Sequence, residues 1–231
     1  MARNQFFIAG TESGAGKTVV ASGLLAAANE RALITVALKP VALGCHQTTE
    51  GLRSEDAKLF QRTMSQDLPY EQINPVALSS ALSPHIAAEQ AGKRLLVSQL
   101  AGYCRGVLMQ RTDLVLVEGA AGWRTPLNRT ETFAGLAKEL NLAVILVVRI
   151  TPDCISHALL AAQAIAQDGL RLAGWVANQT DSAVPAAPSI VNSLKAMLRA
   201  PCVGDIPYMQ NPSDLDVSHL IELETLIGSA S

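Results

Sequence analysis

Gly10-Thr11-Glu12-Ser13-Gly14-Ala15-Gly16-Lys17-Thr18 is the stretch on which the reading of this chain turns. Before it, Gln5–Gly10 (QFFIAG) is a short apolar run ending in glycine, the pattern of a buried strand. After it, Lys17–Asn29 (KTVVASGLLAAAN) is apolar on nearly every side, as a helix tucked against a sheet is. Between such elements a glycine-rich turn lets backbone N–H groups converge on phosphate oxygens, with the positive end of the helix behind them. Lys17 then reaches the β and γ phosphates of ATP or GTP, and the Thr18 hydroxyl ligates Mg²⁺. Five residues, not four, separate Gly10 from Gly16, so the loop is a variant of the common phosphate-binding pattern.

Outward from the loop, strand-length apolar runs alternate with helical stretches. Thr35–Lys39 reads as a strand stopped by Pro40, and Ser54–Arg62 as a helix opened by a serine cap and an acidic first turn. The helix Val97–Gln110 leads to the strand Leu114–Glu118, and the helix Thr132–Leu140 to the strand Ala143–Val148. Cys154–Gln167 and Ser189–Arg199 are helices, Leu172–Asn178 and Cys202–Ile206 strands, and Ala183–Ser189 a surface loop. This alternation predicts an α/β, P-loop NTPase-like fold, a mostly parallel β-sheet with helices on both faces. A single domain over residues 1–231 is the simplest reading.

Hydrophobic residues make up 49% of the 231 and charged residues 16%, which suits a well-buried core. A net charge of −2 argues against a broad footprint for nucleic acid or an anionic membrane, so phosphate binding has to be local. Cys45, Cys104, Cys154 and Cys202 form no CxxC pair and read as buried reduced thiols. The four histidines, His46, His85, His157 and His219, show no metal-ligand spacing. The N-terminus runs straight into a strand pattern, and the longest apolar runs are too short to span a bilayer; a cytoplasmic protein is expected.

A Mg²⁺ site needs further oxygen ligands. Leu114–Glu118 ends in a carboxylate, with Gly119 behind it, at the carboxyl edge of the sheet where open α/β folds bind ligands. Glu118 reads as a ligand in preference to an ordinary strand-end acid. Asp56, near a helix start, is a second candidate, although an acid serving the helix dipole explains it almost as well. Lys39 projects over the same edge. It is either a solvated strand-end charge or a second cation near the γ-phosphate that stabilises phosphoryl transfer, and the second reading is preferred.

Further motifs run in order along the chain: KPVA at Lys39–Ala42, EGLRSEDA at Glu50–Ala57, SPH at Ser83–His85 and VEGAAGWRTPL at Val117–Leu127. CISHALL follows at Cys154–Leu160, GWVAN at Gly174–Asn178 and GDIPY at Gly204–Tyr208. With GTESGAGKT, this series resembles the dethiobiotin synthetase family, whose loop reads Gly-Thr-Asp-Thr-x-x-Gly-Lys-Thr. The resemblance implies ring closure of 7,8-diaminononanoate with CO₂ (or bicarbonate) and ATP, with Mg²⁺, by a cytoplasmic homodimer. One substrate amine becomes a carbamate, ATP phosphorylates it to a carbamic-phosphoric anhydride, and the second amine closes the ring.

Position by position, the resemblance implies that Lys17, Lys39 and Ser13 act on the transferred phosphoryl and the carbamate. The ATP site would comprise Gly14, Ala15, Gly16, Lys17, Thr18, Val19, Asp56, Glu118, Gly119, Ala120 and Ala121. Asn178 and Gln179, with Ile206, Pro207 and Tyr208, would hold the base. Thr18, Asp56 and Glu118 would serve the metal. Substrate would meet Ser13, Lys39, Leu43, Arg149, Ile150 and Ser156, its carboxylate held partly by the other subunit near Arg149–Ser156. The chain departs from the family at Leu43 (commonly serine), at Ala121 and Arg149 (glycine) and at Gly14 (an acid). Arg149 reads two ways: a bidentate partner for the substrate carboxylate, or a side chain that fills the pocket and excludes it. Two other readings stand beside the ligase: a paralogue with the same ATP chemistry and another amine acceptor, and, ranked lowest, a partitioning-type switch ATPase.

Overall fold

The computed structural model describes residues 4–210 and 217–228. The first strand, β1 (Asn4–Gly10), is followed by α1 (Lys17–Asn29), β2 (Thr35–Leu38), β3 (Val41–Ala42), β4 (His46–Thr48) and β5 (Gly51–Arg53). Next come α2 (Glu55–Thr63), α3 (Tyr70–Ile73), β6 (Val76–Ala77), α4 (Pro84–Gln90), α5 (Val97–Leu108) and β7 (Leu114–Gly122). The chain continues through α6 (Phe133–Glu139), β8 (Ala143–Arg149), α7 (Cys154–Gln167), β9 (Leu172–Asn178), α8 (Ala187–Met197) and β10 (Cys202–Ile206). A 3₁₀ turn (Ser218–Leu220) and α9 (Leu223–Ile227) follow. The part of the tail at 211–216, Asp214 included, lies outside the described residues, as do positions 1–3.

Six strands form one parallel sheet in the order β10-β9-β8-β1-β7-β2. Phe6, Phe7, Ile8 and Ala9 are all buried, although their side chains point alternately to both faces. That requires helices above and below the sheet, as the unbroken apolar strand pattern predicts. The β1 strand lies between β7 and β8, with Phe6 opposite both Leu116 and Ala143. Every parallel strand therefore delivers its carboxyl end to the same edge, and the phosphate loop rises from the middle of it.

The structure revises several boundaries. The β7 strand runs past Glu118 to Gly122, because Gly10 pairs with Gly122 after a bulge in the β1·β7 ladder. Helix α8 starts at Ala187 and not Ser189, shortening the expected loop; Pro188 sits in its first turn, where no N–H is needed. That helix ends at Met197, and α5 ends at Leu108. The irregular stretch after Lys39 contains the antiparallel hairpin β4–β5 and the short parallel pair β3·β6. Cys45, Cys104 and Cys154 are buried, Cys202 is half-buried, and all are free thiols.

One residue at the sheet edge is strained. Ala121 adopts φ 52°, the left-handed region that a Cβ disfavours. Ala121→Gly is expected to raise stability by about 1 kcal/mol, read as a higher urea midpoint at unchanged slope. A lower midpoint would mean that methyl packing outweighs the strain.

Candidate active site

The P-loop opens α1 through Gly16, which takes φ 84° at the helix N-cap. Lys17 lies folded back along the loop, its Nζ donating to the Glu12 carbonyl at 3.2 Å. Burial lowers its pKa to about 8, outweighing the pull of Glu118 in the other direction. Such a buried, under-compensated ammonium suits an anionic ligand such as phosphate.

Two neighbouring strands bring Lys39 and Glu118 together. Leu38 pairs with Val117 in the β2·β7 ladder, so the residue after each projects at the same level of the edge. The Lys39 ammonium donates to Glu118 Oε1 and, at 2.8 Å, to Asp56 Oδ2 from the first turn of α2. Thr18 Oγ1 donates to the same Glu118 Oε1 at 3.1 Å. Lys39 is 6% exposed, which rules out a solvated strand-end charge. Burial alone would lower its pKa, but the Glu118 and Asp56 carboxylates outweigh burial and raise it, so Lys39 stays charged. For Asp56, burial works upward and the Lys39 ammonium prevails, holding the carboxyl low. Burial pushes Glu118 up against the pull of Lys39; we hold to the ionised form because Oε1 accepts from both Lys39 and Thr18.

These groups line a cavity of about 530 Å³. Ser13, Gly14, Gly16, Lys17, Thr18 and Val19 contribute to it from the phosphate loop and first turn, and Lys39, Leu43, Asp56, Glu118, Ala120 and Ala121 from the adjoining edge. Glu55, Leu59 and Arg62 line it as well. Sequence reading passed over these three, though their spacing around Asp56 is that of one helical face. Glu118 Oε2 is buried without a hydrogen-bond partner. An orphaned carboxylate oxygen beside a second carboxylate and a threonine hydroxyl fits Mg²⁺, which takes one or two carboxylates and completes its shell with phosphates and water. Among the described residues there is no cluster of three or more His, Cys, Asp or Glu able to hold a metal without such help.

The residues expected at the base lie together on the other flank of the loop. Asn178 and Ile206 end β9 and β10 opposite each other, and Gln179 N donates to the Ile206 carbonyl at 2.9 Å. Pro207 and the exposed Tyr208 follow directly. Asn178 Nδ2 donates to the Ala15 carbonyl at 2.8 Å, tying this flank to the phosphate loop. Gly119 continues β7 behind Glu118.

Three expected substrate residues are not among those lining the cavity. Ile150 is fully buried in the core, and Ser156 is exposed on α7. Arg149 donates from Nε to Thr180 Oγ1 at 2.8 Å and places Nη1 3.6 Å from Glu12 Oε2. It thus bridges the phosphate loop to the segment after β9.

Residues 4–214 match the family described as AAA domain. The MinC:MinD cell division protein complex of Aquifex aeolicus is similar in structure, with a TM-score of 0.63 at 12% identity, covering 97% of this chain and 94% of that one. A ParA family ATPase from Chlorobium tepidum gives 0.58 at 10% identity, covering 99% and 95%. At these identities the likeness is one of fold, and it agrees with the P-loop α/β architecture. In sequence, the ATP-dependent dethiobiotin synthetase BioD of Cellvibrio japonicus is 49% identical, covering 99% of this chain and all of the relative. The protein of the same name from Marinobacter nauticus is 46% identical, covering 96% of this chain and 95% of its own length. Identity of this order over whole chains, on a fold that assembles the phosphate loop, two lysines and two carboxylates at one edge, places the chain in the ATP-dependent dethiobiotin synthetase family.

Proposed function

We propose that this protein is a ligase that closes the ureido ring of dethiobiotin from 7,8-diaminononanoate, CO₂ and ATP. The observation that carries the reading is the convergence of Lys39, Asp56, Glu118 and Thr18 on the cavity formed by the phosphate loop. A carbamate oxygen is a poor leaving group, and its phosphorylation makes it a good one. The carbamate oxygen attacks the γ-phosphorus and ADP departs. The second amine then attacks the carbamoyl carbon, phosphate leaves with the bonding pair, and the amine proton passes to solvent or phosphate.

In this scheme the loop amides and Lys17 hold the triphosphate, while Lys39 faces the charge that builds on the transferred phosphoryl and the carbamate. Ser13, exposed at the cavity wall, would hydrogen-bond the carbamate. Mg²⁺ held by Thr18, Asp56 and Glu118 would neutralise negative charge on phosphate oxygens. Asn178, Gln179, Ile206, Pro207 and Tyr208 serve the base. We take the working form as a cytoplasmic homodimer; Leu160 and Met197, exposed on α7 and α8, supply apolar surface for such a contact.

The test is ADP release from the purified protein with and without 7,8-diaminononanoate and bicarbonate. Strong stimulation by the diamine is expected. A folded, ATP-binding protein that shows none would overturn the reading and favour a different amine acceptor. Leu43, an apolar side chain lining the cavity, is the first residue to exchange in that event.

A further inference from the structure

Within the site, Lys39 and Glu118 are set by a sheet ladder and Thr18 by the helix that follows the loop. Asp56 has no such anchor. It rides on α2, which the chain reaches only after the hairpin β4–β5, outside the main sheet. Packing of α2 on α1 and β2, with Ala57 and Phe60 buried, holds its body, and a second tie crosses the gap from its start to the end of β2.

A buried chain of hydrogen bonds spans that gap. The Ser54 N–H, at the N-cap of α2, donates to Tyr70 Oη at 2.6 Å. Tyr70 Oη donates to Asn74 Oδ1 at 3.1 Å, and Asn74 Nδ2 donates to the Lys39 carbonyl at 2.7 Å and the Val76 carbonyl at 3.1 Å. The Lys39 N–H donates to the Ile73 carbonyl at 2.8 Å, so both backbone polar groups of Lys39 are held. Ser54, Tyr70 and Asn74 are all buried.

Every proton in the chain has one place. Two carbonyls fix the amide of Asn74 with Nδ2 toward them, which leaves Oδ1 as an acceptor. An incoming N–H makes Tyr70 Oη an acceptor there, so its own proton goes to Asn74. Burial pushes the phenol pKa up, keeping that proton on. The Arg53 guanidinium lies 4.3 Å from the centroid of the tyrosine ring, bracing it from the hairpin side.

We propose that Tyr70 and Asn74 are positioning residues for phosphoryl transfer, setting the spacing between Lys39 and Asp56. The inference rests on the roles given to those two residues above. It assigns a function to α3, a four-residue helix with no side chain among those lining the cavity.

The experiment is a double-mutant cycle between Tyr70→Phe and Asp56→Asn, with two readouts. One is kcat for ADP release; the other, which needs no acceptor, is the Mg²⁺ concentration giving half-maximal ATP binding. Tyr70→Phe is expected to lower kcat about fivefold and raise the half-saturating Mg²⁺ several-fold, with ATP affinity at saturating Mg²⁺ kept within about twofold. In the Asp56→Asn background the same change is expected to add less than about twofold to either readout. Asn74→Asp, which keeps shape but sets a carboxylate against two carbonyls, should repeat the loss.

Equal losses from Tyr70→Phe in both backgrounds would overturn the proposal. So would a lower melting temperature with kcat and Mg²⁺ dependence unchanged. If Asp56→Asn itself moved neither readout, the reading of the site would fail first and the inference with it.

Discussion

Lys39→Ala is expected to lower turnover about 10²- to 10³-fold while leaving ATP affinity within a few-fold of the parent. The separation follows from what Lys39 touches. Its ammonium is bonded to Asp56 and Glu118, while in the proposed scheme the phosphate loop and Lys17 grip the triphosphate without it. In that scheme alanine removes the cation that faces the transferred phosphoryl and leaves the nucleotide cradle in place.

The same change also removes the counter-ion of a buried carboxylate. Breaking a buried ion pair on one side costs about 3–5 kcal/mol, so the melting temperature should fall as well. The pKa of Lys39 lies above its ordinary value of 10.5. Its stabilising contribution is therefore complete below that value and lost only as pH rises through the folded one. With Lys39 gone, burial raises the Glu118 pKa further. The stability deficit of the variant should therefore be largest at alkaline pH and shrink as pH falls toward the ordinary carboxylate range, where Glu118 takes up a proton. Steady-state ADP release, nucleotide titration and thermal melts check the three parts. Parental turnover would reduce Lys39 to a structural counter-ion.

Gly16→Ala is expected to weaken ATP binding by at least about 100-fold. Two independent costs add. At φ 84° an L side chain is strained, by roughly 1–2 kcal/mol. A Cβ built there would also lie 2.0 Å from Asn178 Nδ2, far inside contact distance. Asn178 is short and buried, and moving it breaks its bond to the Ala15 carbonyl, so relief at one place opens the loop at another. Gly106→Ala, in α5 with nothing within 4 Å of the new methyl, is the control and should raise stability slightly through helix propensity. Nucleotide titration of both variants decides the matter, and parental affinity in Gly16→Ala would mean that the loop accommodates a side chain.

The main sheet and its helices were legible because their signals are local and periodic. Lys17–Asn29, Cys154–Gln167, Leu172–Asn178 and Cys202–Ile206 occur with the bounds read from sequence. The place of Glu118 at the cavity was legible because it closes an unbroken apolar run at the carboxyl edge of the sheet. The extension of β7 through Gly-Ala-Ala-Gly was not legible, since those residues carry no strand propensity and are held by pairing with Gly10. The start of α8 was missed because Pro188 and its neighbours read as loop until a helix first turn claims them. Leucine at position 43 and arginine at position 149 were seen as departures from the family, but only coordinates separate them: Leu43 lines the cavity, and Arg149 bridges Glu12 and Thr180. The Tyr70–Asn74 chain was invisible for a different reason. Side chain to backbone bonds between residues 16 and 35 positions apart leave no periodic trace.

The sheet order has a consequence for how this protein comes into being. Strand β1 finds its two neighbours only from positions 114 and 143, so it waits longer for its partners than β2, β8 or β9 does. Contacts of such long sequence separation slow folding, because the loops must close before any pairing rewards them. The phosphate loop cannot take its final shape on a nascent chain that lacks β7 and β8, and nucleotide can stabilise only the finished molecule. During synthesis the apolar run Phe6–Ala9 lacks its sheet partners until β7 and β8 emerge, and ATP bound in the site cannot shield it before then.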